Sequence, residues 1–194
     1  MKRSFVFFSL LLFLSGCATG RLSRLEDVSP DEAAIIARIK VKYNGEDVTK
    51  GSGIAINLPS TGAPMYKYWA DENGYIIGKA PLGINSIDLV SAGPMAVGRF
   101  SHIFKSKELS FELNRGQEIF YLGDITFDWH GIEYGAAQVA VGFGAIGSLA
   151  TQGSVSVSVE SDVSKAEEIF RKKFPNHLAT IPSILIIKPT SQSQ

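Results

Sequence analysis

Cysteine is almost absent from this chain. One residue in 194 is a cysteine, so no internal disulfide forms and no cysteine-based zinc cage can be built. An excess of one charge is also missing. Lysine plus arginine is 19 and aspartate plus glutamate is 19, which argues against a nucleic-acid binder, since these carry a basic surplus. No apolar run reaches the ~20 residues that a helix needs to cross a bilayer. Histidine numbers three and tryptophan two. Hydrophobic residues at 45% and charged residues at 20% are ordinary for a folded domain and wrong for a disordered chain.

What is present begins at the N-terminus. Lys2 and Arg3 form a short positive segment. Phe5 to Leu14 follows, ten residues with only Ser9 polar, the apolar stretch of a secretory signal. Then comes Leu14-Ser15-Gly16-Cys17. These residues resemble the lipobox of bacterial lipoproteins, and the resemblance extends over residues 1–17. It implies lipid attachment at the thiol of Cys17, with cleavage between Gly16 and Cys17. In such a chain one acyl group alone holds a membrane marginally, and two or three on one residue make a stable anchor. Cleavage removes Lys2 and Arg3, so basic residues fall from 19 to 17 against 19 acids, a net charge of −2. Ala18, where inner-membrane lipoproteins carry aspartate, implies the outer membrane, on its periplasmic face, if the host has two membranes.

Residues 17–32 read as the lipidated cysteine and a tether, with Gly20 and Pro30 and no sustained periodicity. From residue 33 the pattern has period two. Ile35, Ala37, Ile39, Val41 and Tyr43 alternate with Arg38, Lys40 and Lys42, which predicts a half-buried strand. Asn44-Gly45 predicts a turn, because both residues tolerate positive φ. Short strands are predicted at 53–58, 65–69, 75–79, 84–90, 100–104, 109–113 and 118–129, with Asp71-Glu72-Asn73-Gly74 as a hairpin turn. The one helical stripe is Val163, Ala166, Ile169, Phe170 and Phe174, capped by Ser161 or Asp162 and followed by Pro175. Ile184 to Lys188 predicts an edge or closing strand, and 189–194 a frayed tail. The expected fold is a mainly β, antiparallel sandwich over residues 33–188 with one C-terminal amphipathic helix. The turns at Tyr75–Ala92 and Gly116–Thr126 make residues 33–130 similar to the immunoglobulin- or prealbumin-like sandwich domains of many bacterial lipoproteins, which implies a fold and not a reaction.

Three features are candidates for chemistry. Gly142-Phe143-Gly144-Ala145-Ile146-Gly147 matches GxGxxG, with Asp162 downstream. Only five residues separate its third glycine from Gly153 and a further strand, too few for the crossover helix that would hold a dinucleotide. Gly135 to Ala150, inside an insertion at 135–153, is apolar apart from Gln138 and Ser148. It reads either as buried core or as a loop that contacts lipid or a partner. Gly123 separates two patterns: Phe120 and Leu122 share a face before it, and Ile125, Phe127 and Trp129 share one after it. Asp124, Asp128 and His130 then fall on the opposite face with Thr126, a candidate ligand, metal or acid–base set. Alternate residues on a strand lie roughly 7 Å apart, too far for three ligands to meet at one ion. His102 and His177 read as isolated surface residues. No nucleophile motif, metal signature or phosphate loop appears. The expectation is a non-enzymatic, lipid-anchored module with no cofactor that binds an envelope protein, peptide or glycan. The alternatives are an envelope hydrolase using Asp124, Asp128 and His130, and a structural lipoprotein whose Gly-rich segment contacts the membrane.

Overall fold

The computed structural model describes residues 22–57, 66–92, 100–104, 107–131 and 153–176, with Ile181, Pro182 and Ile186. Its strands are β1 (Glu32–Tyr43), β2 (Glu46–Asp47), β3 (Gly53–Ile56), β4 (Tyr66–Trp69), β5 (Tyr75–Pro81), β6 (Gly83–Ala92), β7 (Phe100–Ile103), β8 (Ser110–Leu113), β9 (Ile119–Gly131) and β10 (Gly153–Glu160). Helix α1 spans Val163–Lys173.

Two sheets stack face to face. One runs β10-β9-β1, with β5 and β2 both paired to β1; the other runs β4-β3-β6-β7, with β8 also paired to β6. The fold is the expected mainly β sandwich. One pairing departs from the antiparallel expectation: β1 and β9 run parallel, from Ala34 opposite Ile119 to Tyr43 opposite Trp129. The chain covers 75 residues between these two strands, long enough for the crossover that a parallel pair requires.

The turns divide into two kinds. Asn44 and Gly45 adopt φ of 49° and 88°, and join β1 to β2 in a two-residue hairpin. Asp71 to Gly74 also turns the chain, with Asp71 Oδ1 accepting from the amides of Asn73 and Tyr75 at 2.8 Å each. It is not a hairpin, however, because β4 belongs to one sheet and β5 to the other. The polar DENG tetrapeptide, exposed at Asp71, Glu72 and Asn73, specifies a reversal. The ladders are formed elsewhere: β4 on β3, and β5 on β1.

The main core fills the space between the sheets, with Ile35, Ile39, Ile56, Phe111, Phe127 and Trp129 nearly inaccessible. A second core lies on the outer side of β1 and β9, where α1 buries Ala166 and Phe170 against Ala34, Ile36, Ile119 and Tyr121. Both faces of the first half of β1 are therefore covered, and the alternation of polar residues starts only at Arg38. Removing a side chain such as Phe170 from water contributes about 2–3 kcal/mol.

The tether region folds back sooner than its composition suggests. Leu22 and Val28 are buried in the second core, and the Leu22 amide donates to the Ile77 carbonyl of β5. At the other end, Ile181 and Ile186 are buried, and the Tyr121 amide donates to the Pro182 carbonyl, which places that stretch beside β9. The remainder of the strand expected at 184–188 lies outside the described residues. So do the signal segment with Cys17, the GxGxxG stretch, Gly135–Ala150, His177 and the tail at 189–194.

Candidate functional site

The side chains after Gly123 take their directions from one irregularity. Between Ile36 and Arg38 of β1 the partner register jumps from Tyr121 to Asp124, so β9 carries one extra residue. Gly123 absorbs it at φ 107°, a conformation that glycine adopts without a Cβ clash. The bulge resets the parity of the strand. Phe120 and Leu122 face the main core before it, and Ile125, Phe127 and Trp129 face the same core after it.

The same reset brings Tyr121 and Asp124 together on the outer face. The Tyr121 hydroxyl donates to Asp124 Oδ1 at 2.5 Å and accepts from the Asp162 amide at 3.4 Å. Arg38 lies 3.9 Å from Asp124 and stacks 5.8 Å from the Tyr75 ring centre. Asp162 caps α1, its carboxylate accepting from the Lys165 amide at 3.0 Å. Burial, reinforced by the bond to Asp124, pushes the Tyr121 hydroxyl far above the ordinary phenol range. It therefore stays protonated and acts as a strut between β9 and the start of α1. The parity change at Gly123 is the sequence signal for this contact.

Asp124, Asp128 and His130 do not converge. Asp124 is committed to Tyr121 and Arg38. Asp128 lies four residues along the strand, on the order of 13 Å away. Its Oδ1 is 3.6 Å from His130 Nε2, and the His130 side chain is 65% exposed. The cross-strand register accounts for the row: Arg38 lies opposite Asp124, and Lys42 lies opposite Asp128. A row of cations on β1 thus faces a row of acids on β9, the arrangement that stabilises a solvated sheet face. Among the described residues no group of three histidines, cysteines, aspartates or glutamates is placed to hold a metal ion.

His102 is less isolated than its sequence context suggests. Its ring meets Phe104 edge-on at 4.8 Å and Trp129 at 5.9 Å. Burial holds its imidazole below the ordinary histidine value, against an opposing pull from Glu108.

Two surfaces among the described residues are suited to engaging other molecules. The first is a cleft of about 590 Å³ where the edge strands β4 and β5 meet the C-terminal half of α1. Lys67, Trp69, Ile77, Ile169, Lys172 and Lys173 are among the residues lining it. Trp69 is 41% exposed, and its ring lies across Gly53, where any Cβ would come within 2.4 Å of it. The second is the outer edge of β10, which pairs with β9 alone among the described strands. β9 and β10 meet at the Gly131–Gly153 pair, so the two ends of the Gly-rich insertion emerge side by side.

A family model described as a prokaryotic membrane lipoprotein lipid attachment site matches residues 1–18. The chain is a lipid-anchored lipoprotein of the bacterial envelope. Comparison of this lipoprotein with curated proteins and with solved structures finds no match. The matched residues include Cys17, five positions before the buried Leu22.

Proposed function

We propose that this lipoprotein is a non-catalytic binding module that presents the outer edge of β10, unpaired among the described strands, to an extended segment of an envelope protein. In this reading Cys17 carries the lipid. Ala18 directs the protein to the outer membrane of a two-membrane host, with the domain on the periplasmic side.

The observation that carries the reading is the character of β10. It is eight residues long, with sequence GSVSVSVE. Ser154, Ser156 and Ser158 point out and are exposed, while Val155, Val157 and Val159 pack against the main core. Edge strands are normally blunted by lysine, proline, a bulge or a covering element, because unpaired backbone groups recruit another strand. β10 has no lysine and no proline, its only charge is Glu160, and its pairing with β9 runs without a register shift from Gly153 to Glu160. Such an edge suits a partner that adds a strand through main-chain hydrogen bonds. It also lies away from the anchor. Leu22 bonds to β5, across the sheet from β10, and three strand spacings amount to roughly 15 Å.

The test is capture from envelope extract by the lipidated protein, compared with Ser156→Lys and Ser158→Lys. These substitutions put gatekeeper charges on the exposed face and leave the core alone. Capture of the same partner should fall at least roughly tenfold in the variants. Equal capture by all three proteins removes β10 from the account, and nothing above background with the wild type overturns the binding-module reading.

A further inference from the structure

We propose that the side of the domain around the β4–β5–α1 cleft rests on the membrane that holds the anchor, with anionic lipid headgroups as its ligand. The proposal rests on the reading of Cys17 as the lipidated residue. Its basis is where the chain leaves the fold.

Leu22 is fixed at 1% exposure, with its amide bonded to the Ile77 carbonyl, and Ile77 lines the cleft. Only Ala18, Thr19, Gly20 and Arg21 separate Leu22 from Cys17. Five residue steps span at most ~18 Å when fully extended. A lipid on Cys17 therefore cannot let the domain float free; it brings this side of the molecule to the bilayer.

The side chains there suit a membrane boundary. Lys67, Lys172 and Lys173 line the cleft with a single acid, Asp71. Arg24 and Lys173 line an adjoining depression with one acid, Glu26. Four cations against two acids thus gather beside the exit point, on a processed chain whose overall charge is −2. Cations outnumber acids beside the anchor, where anionic headgroups attract basic residues within a Debye length of about 8 Å. Trp69 is the half-exposed tryptophan of the same cleft, and an indole, apolar with one polar N–H, partitions to the headgroup level.

The two tryptophans make the test direct, because Trp129 is fully buried and Trp69 is not. Full-length lipidated protein is reconstituted into phosphatidylethanolamine–phosphatidylglycerol vesicles, with and without brominated acyl chains. Bromine should quench the emission of Trp69 roughly twofold, as expected for a ring at the interface. The quench should vanish in Trp69→Phe, where only Trp129 reports. Lys67→Glu and Lys172→Glu, checked for intact near-UV dichroism, should each loosen docking by roughly fivefold and lower the quench while the protein still sediments with the vesicles. Sedimentation without any quench of Trp69 overturns the docked face and leaves the anchor standing. Protein that stays in the supernatant overturns the anchor at Cys17, and the docked face with it.

Discussion

Tyr121 donates its hydroxyl hydrogen to Asp124 at 2.5 Å, although the two residues are three apart on one strand. In a regular strand an odd separation puts side chains on opposite faces. The contact exists because Gly123 adds one residue to β9 and turns the strand back in phase. The bulge thereby serves two purposes: it keeps apolar residues facing the main core along all of β9, and it joins β9 to the cap of α1.

Replacing Gly123 with alanine should be costly. A Cβ at φ 107° is strained, at about 1–3 kcal/mol. Urea unfolding should show a lower midpoint with an unchanged slope. Asp124→Ala should cost about 1–3 kcal/mol, because it strands a buried hydroxyl. Tyr121→Phe should cost less than Asp124→Ala, because it removes the donor with the bond. The reverse order would refute the strut.

The attachment of α1 depends on Phe170, which is fully buried in the second core. Phe170→Ala should destabilise the domain by about 3–5 kcal/mol. Asp162→Ala removes the helix cap and should cost about 1 kcal/mol. Thermal melts followed by far-UV dichroism would rank them; similar losses for the two would argue against α1 as an integral part of the core.

Acid should weaken the fold in two steps. Burial alone would raise the Glu32 carboxyl, but hydrogen bonds from Lys79 at 2.7 Å and from Ser29 outweigh it and hold the pKa below the reference of 4.5. A depressed carboxyl stabilises the fold above its unfolded value, and that stability is lost as the pH falls from about 4.5 through the folded value. His102 is also depressed, so the unfolded chain binds its proton first. Stability should begin to fall as the pH drops below 6.5 and level off below the folded value. Denaturation midpoints against pH should show both steps. Glu32→Gln should shrink the lower one, to which the likewise depressed Asp31 and Asp47 also contribute, and His102→Phe should remove the upper; a profile unchanged by either variant would contradict these assignments.

The outer row on β9 should tolerate change. Asp128→Asn and His130→Ala should each shift stability by no more than roughly 0.5 kcal/mol, as surface substitutions do. Asp124→Ala, in the same row, should stand out from them in the same unfolding assay. A large effect at His130 would mean that the row does more than solvate the sheet.

Much of this was legible along the chain because it is local. Short runs bounded by turn residues placed nearly every strand, and alternation marked the second half of β1, since period two reports one buried and one wet face without reference to a partner. Asn44-Gly45 marked its hairpin, and the apolar stripe at steps of three and four marked α1. Gly123 marked a change of face. The candidate set Asp124, Asp128 and His130 was legible as a row, but not as two unlike environments. Asp124 is held by Tyr121 and Arg38, whereas Asp128 and His130 lie in the solvated ladder opposite Lys42. The row looked uniform because the partners of Asp124 come from a bulge and a neighbouring strand.

The signal at residues 1–18, the strand periods and the turn chemistry are properties of neighbouring residues, so the amino-acid order was enough to reveal them. The parallel contact of β1 with β9, the passage of Asp71–Gly74 from one sheet to the other, and the burial of Leu22 beneath α1 were settled only when distant segments met. Each depends on which strand edge or apolar face is still unfilled once the others have paired, and that competition spans the whole chain.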